Sequence, residues 1–163
     1  MFAHRAFTCQ AGRLAMAACL LPAAHGVLAQ QAVLTASRTL DFGHFVARSG
    51  GTITVSPSGA RSATGAVVLL NSPSAGPAVF NVSKSEGGAT NTAVVITLPA
   101  NGSTRLVSGS NSMPLSAFVT SPAMILTVPN GGVMLSVGAT MTVAARQPRG
   151  NYTGTIPLIV NFQ

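Results

Sequence analysis

Short apolar runs rich in Val, Ile, Thr and Phe recur along residues 30–163, separated by clusters of Gly, Pro, Ser and Asn. No stretch there shows a capped 3.6-residue apolar period. That rhythm marks an all-β chain. It predicts strands over Ala32–Ser37, Thr39–Phe45, Gly51–Ser56, Gly65–Leu70, Ala78–Ser83, Ala93–Leu98, Thr104–Val107, Leu115–Thr120, Met124–Thr127, Gly132–Val137, Ala139–Ala144 and Tyr152–Phe162. The first two read equally as one bent strand, as do the two that meet at Gly138, where a bulge fits. Asn101-Gly102 is the sharpest hairpin signal, because a two-residue primed turn needs positive φ at both central positions. Such strands bury an apolar face by stacking in layers, so the expected architecture is one antiparallel β-sandwich with Greek-key connections.

The last strand carries the most regular stripe. Pro148 and Gly150 supply a turn, after which Tyr152, Ile156, Leu158, Val160 and Phe162 recur with period two. That face needs cover, from its own domain or from another chain. Residues 148–152 also read as a tyrosine corner, which would make the stripe an ordinary part of a closed sandwich.

Residues 1–29 do not fit the β rhythm. Arg5 and Arg13 precede the apolar run Leu14–Ala29, which ends in small residues and reads as a secretory signal cleaved after Ala29, with Gly26 as the alternative site. Pro22 and His25 interrupt the run and leave it too short for a membrane span. The expectation is therefore an exported chain, in the periplasm, on the cell surface or outside the cell, with a single domain over 30–163. Cys9 and Cys19 leave with the signal, so the mature chain is expected to hold by packing alone, without a disulfide.

Charge narrows the classes of partner. After Ala29 the chain keeps seven basic residues, Arg38, Arg48, Arg61, Lys84, Arg105, Arg146 and Arg149, against Asp41 and Glu86, a net of +5. The bases stand singly and the aromatic rings sit in apolar alternations, which argues against a nucleic-acid surface. Weak adhesion to acidic polysaccharide or to lipid headgroups is what such a charge allows, and a solvated face with a mild charge excess accounts for the same count. Catalysis finds little material. Asp41 and Glu86 are the only acids, and His44 and Asp41 stand three apart on one predicted strand and so face opposite ways. There is no zinc cluster, phosphate loop or GxSxG elbow. No enzyme, metal or cofactor is expected.

Leu40-Asp41-Phe42-Gly43-His44-Phe45 mixes polar and apolar residues on both faces, as a strand does near an edge or where it bends at Gly43. Asp41 is expected to accept hydrogen bonds from a neighbouring turn or to pair with an arginine.

Two resemblances add to this reading. Counting back from Gln163, Phe162 is penultimate, Val160, Leu158 and Ile156 stand fourth, sixth and eighth, and Gly150 is fourteenth. This pattern resembles the C-terminal strand of chaperone–usher pilus subunits, which pairs with a periplasmic chaperone before a neighbouring subunit's N-terminal strand completes the sandwich. The Leu40–Phe45 segment, Ser49–Gly59, Thr64–Leu70 and the Gly150-x-Tyr152-x-Gly154 ending are similar to the bacterial exported family called domain of unknown function 4402. That family is distantly like spore-coat U and archaic-pilus subunits, which usually carry cysteines absent from residues 30–163. The resemblance implies an immunoglobulin-like, pilin-like sandwich and a structural or adhesive role in a fimbria-like surface appendage. Neighbouring subunits and a periplasmic chaperone would be its partners. In that setting Ala32, Leu34 and Ala36 belong either to a first strand or to a donor strand. The alternative is a self-contained envelope module that binds carbohydrate or another envelope component through its loops, with Arg48, Arg61 and Arg105 as contacts.

Overall fold

The computed structural model describes residues 32–84 and 93–162, so the expected signal segment and the turn around Glu86 lie outside the described residues. The described residues form nine strands: β1 (Ala32–Arg38), β2 (Phe45–Val55), β3 (Arg61–Leu69), β4 (Ala78–Lys84), β5 (Val94–Thr97), β6 (Arg105–Ser108), β7 (Asn111–Ser121), β8 (Val133–Val143) and β9 (Ile159–Phe162). All pairings are antiparallel, and the described residues form an all-β sandwich.

β8 is the hub. Along one edge its first half pairs with β4, Val133 to Val137 against Val82 to Ala78, and its second half pairs with β2, Ala139 to Val143 against Val55 to Gly51. Its other edge carries β7. β1 extends the sheet beyond β4, β3 extends it beyond β2, and β6 pairs with β7. The change of partner falls at Gly138, where a Cβ would lie 2.3 Å from the Val55 carbonyl oxygen and 2.9 Å from Pro57 Cδ. Gly138 therefore does not divide two strands. It lets one strand pass close under the β2 end, and the bulge expected there lies on β7 instead, between Ser116 and Val119.

Leu135, Val137, Ala139, Met141 and Val143 all point inward along β8 and feed two clusters. Phe42, Ile53, Val55, Met113, Leu115, Met141 and Val143 form one, and Val82, Val94, Ile125, Val128, Leu135 and Val137 form the other. Leu40 and Phe118 pack against both and join them.

The β2–β3 ribbon covers the first cluster from two sides. Its ladder jumps from Ala47 opposite Val67 to Gly51 opposite Gly65, and a Cβ on Gly51 would lie 2.1 Å from the Thr64 carbonyl oxygen. The ribbon folds there. Arg61 opens β3 opposite Val55 yet donates through Nη1 to the Leu70 carbonyl (3.0 Å) and through Nη2 to the His44 carbonyl. Nine steps of straight strand would hold the Cα atoms of Arg61 and Leu70 about 30 Å apart, far beyond the reach of one arginine side chain. Over the second cluster, the two-stranded β5–β9 sheet supplies the facing layer.

Four local expectations are corrected. Thr39–Phe45 is not a strand; only Asp41 makes an isolated bridge, to Gly76, because Gly43 takes φ +68° and turns the chain into β2. Met124–Thr127 contributes a single bridge, Ile125 to Val94. Asn101-Gly102 closes no hairpin, since β5 pairs with β9 and β6 with β7; the two-residue loop is Gly109-Ser110, with Gly109 at φ +59°. The terminal strand is shortened to Ile159–Phe162.

Candidate functional site

Two regions carry the residues that the sequence singles out. In the first, Arg38–His44 is stitched to the loop 70–76. Asp41 N donates to the Gly76 carbonyl (2.9 Å) and Gly76 N donates to the Asp41 carbonyl (2.8 Å). The Asp41 carboxylate accepts from Gly43 N at Oδ1 (2.7 Å) and from Ser74 Oγ at Oδ2 (2.8 Å). Arg38 Nη2 donates to the carbonyls of Ser74 (2.7 Å) and Ala75 (3.1 Å), so Asp41 and Arg38 grip the same loop from two sides. Ser72 Oγ accepts from His44 N (2.7 Å) and donates to the Leu70 carbonyl (3.2 Å). Leu40 and Phe42 drive the turn down onto the core, Phe42 within the first cluster and Leu40 at the junction of the two. The alternation expected through this segment is broken at Gly43: Phe42 is buried, while His44 is exposed.

Both Asp41 carboxylate oxygens are engaged in holding the turn. Among the described residues no group of three or more His, Cys, Asp and Glu side chains is placed to hold a metal ion, and no helix is long and apolar enough to cross a membrane.

The second region is the terminal segment. Tyr152 Oη donates to the Pro148 carbonyl (2.8 Å) and accepts from Gln147 Nε2 (2.9 Å), which is the geometry of a tyrosine corner. Gly150 is exposed at this corner, and a Cβ on it would meet Ser108 Oγ at 2.5 Å. Thr153 then bridges Val107 of β6 through both main-chain bonds (2.8 and 3.0 Å). From Gly154 to Leu158 no ladder follows; Pro157 has no N–H to give, and pairing resumes only at Ile159 against Thr97. The stripe survives the loss of the ladder. Tyr152, Ile156, Leu158 and Val160 are each partly buried between exposed neighbours, the first two against the first cluster and the last two against the second. Phe162 pairs with Val94 through the main chain.

Ala32, Leu34 and Ala36 lie on β1, which pairs with β4 from Ala32 opposite Lys84 to Arg38 opposite Val79, so this segment is a first strand of its own sheet. Arg48 and Arg105 are exposed, whereas Arg61 is spent on the folded ribbon and is not an outward contact. Of the three side chains that hold this turn, Ser74 alone bonds the Asp41 carboxylate; Arg38 and Ser72 engage carbonyls of the loop and His44 N, contacts that no spacing in the sequence expresses.

The turn and the terminal segment lie within one family match. The family described as Domain of unknown function (DUF4402) covers residues 33–162. The chain belongs to that family. In this DUF4402 chain the matched span takes in all of the Arg38–Gly76 stitching and the whole apolar stripe. No curated protein and no solved structure matches it.

Proposed function

We propose that this DUF4402 chain is an exported, non-catalytic structural subunit of a bacterial surface appendage, a pilin-like, immunoglobulin-type sandwich that receives a strand from a neighbouring subunit. The observation that carries the reading is the Gly154–Leu158 segment. It is extended, as the alternating exposure of Thr155, Ile156, Pro157 and Leu158 records, yet it has no ladder partner among the described residues. A β-strand in that state presents unpaired main-chain groups and half-covered side chains, which is what strand addition uses. A periplasmic chaperone would occupy the same edge before assembly. The engaged Asp41 carboxylate fits a structural role better than an acid–base one.

Thr155→Pro supplies the test. Thr155 is exposed and makes no main-chain bond, so the variant keeps the monomer's thermal stability while removing one N–H that the monomer leaves unpaired. Wild type is expected to form heat-resistant oligomers in which alternate amides of 154–158 exchange slowly. The variant is expected to stay monomeric. An isolated monomer that already protects those amides, or assembly that ignores the substitution, rejects the reading.

A further inference from the structure

The outward face of the sheet around β2 and β8 is a field of hydroxyls. Thr52 and Thr64 stand opposite each other and share a 2.7 Å hydrogen bond; Thr54 and Thr140 do the same at 2.9 Å; Thr142 stands opposite Thr52 on β8. All five are partly or fully exposed. In each bonded pair one hydroxyl donates to the other, so one O–H donor and several lone pairs remain for a ligand. Polar side chains outward on a sheet are ordinary; paired hydroxyls on three adjacent strands form a continuous array.

One rim of this array is cationic. β6 carries Arg105, exposed, with Nη1 3.4 Å from Ser112 Oγ on β7. Gln147 Nε2 reaches the Ser112 carbonyl (3.5 Å) and so brings the Ala144–Gln147 turn to the same rim. That turn, closed by Gln147 N to the Ala144 carbonyl (3.2 Å), places Arg146 at its third position with φ +55°. Glycine or asparagine suits that position, and an arginine carries backbone strain there. Ala117, the other non-glycine with positive φ, sits in the β7 bulge with its N–H bonded to Asn101 Oδ1 (2.8 Å). No side chain bonds the Arg146 backbone in this way among the described residues. Asp41, the one acid among them, is committed to its own turn.

We infer that this face binds an acidic polysaccharide, the threonine array contacting sugar hydroxyls while Arg105 and Arg146 pair with carboxylate or sulfate groups along the chain. A nucleic acid would want rings to stack on, and Phe42, Phe45, Phe80, Phe118 and Tyr152 all pack on the two cores. A lipid surface would want a continuous apolar face; the exposed Val107, Val119 and Met134 stand apart on β6, β7 and the first half of β8, and the array between them is threonine.

The experiment is co-sedimentation of the purified protein with polygalacturonate, with neutral dextran and with anionic lipid vesicles. Binding is expected for polygalacturonate alone and is weakened by salt. Arg146→Gly with Arg105→Gln lowers that affinity about tenfold, while the glycine relieves the turn and keeps the protein folded. Thr52→Val with Thr142→Val lowers it independently of salt. Equal binding to dextran, binding to vesicles but not to polygalacturonate, no binding at low salt, or affinity unchanged in the arginine variant overturns the inference. None of these outcomes depends on strand addition at Gly154–Leu158.

Discussion

Replacing Gly43 with alanine tests the stitched turn most directly, because the same substitution at Gly102 supplies an internal reference. Both glycines take similar backbone angles, φ +68° and +75°, so both variants carry the left-handed strain of an L residue, about 1 kcal/mol. They differ in space. A Cβ at Gly102 meets nothing within 4 Å, whereas one at Gly43 would lie 2.7 Å from Ser72 Cβ, 2.8 Å from Ser72 Oγ and 2.9 Å from Ala75 Cβ. Carbon pairs rest at about 3.5–4 Å, so the 72–75 loop must move away from the turn. Moving it strains the bonds from His44 N to Ser72 Oγ and from Ser74 Oγ to Asp41, each contributing about 1 kcal/mol. Gly43→Ala is therefore expected to lose about 3 kcal/mol in all, and Gly102→Ala about 1 kcal/mol.

Urea unfolding followed by circular dichroism measures both, with equal slopes required for the comparison. Ser72→Gly removes the nearest overlaps, so Gly43→Ala should cost less on that background than alone, a coupling that a double-mutant cycle reads out. Equal losses for the two alanine variants, with no coupling to Ser72, would refute the claim that loop packing holds the turn.

Other substitutions follow from the same geometry. Gly138→Ala forces a Cβ against the Val55 carbonyl between two strands that cannot part, and a loss of at least about 3 kcal/mol in urea unfolding is expected. Tyr152→Phe removes the donor to the Pro148 carbonyl and the acceptor for Gln147, which costs about 1 kcal/mol by the same measurement. Asn101→Ala leaves the strained Ala117 N–H without its acceptor and is expected to destabilise by about 1 kcal/mol, while Ala117→Gly is neutral or stabilising.

What the sequence made legible was local parity, and what it hid was long-range partnership. The alternation Leu135, Val137, Ala139, Met141, Val143 is plain in the chain, but Gly138 reads as a break until the close pass beneath Val55 is known. Asn101-Gly102 has the chemistry of a primed turn, yet pairing of β5 with β9 and of β6 with β7 sends the flanking strands to different partners. Period two at Leu40–Phe45 carries no information about the φ of Gly43. The role of Arg61 depends on a folded ribbon, and that fold rests on Gly50, Gly51 and Gly65, all with positive φ, whose joint effect no window of sequence expresses. The threonines at 52, 54, 140 and 142 were visible as polar positions; their pairing into an array requires the register of β2 on β8.

The terminal stripe shows how these limits bear on assembly. Of the residues Gly154–Leu158, all but Pro157 have an N–H, and a strand seated along one edge reaches roughly half of the main-chain groups, some four or five bonds of about 1 kcal/mol each. Association costs as much or more, about 4 kcal/mol or above in lost freedom of motion. Main-chain pairing alone therefore cannot hold a neighbour. The remainder has to come from apolar cover on Ile156 and Leu158, each still partly exposed beside its own cluster, at about 25 cal/mol for every Å² removed from water. An incoming strand with alternating apolar side chains meets that requirement and a polar strand of equal length does not, so the side chains of the added strand, more than its backbone, decide which partner the edge accepts.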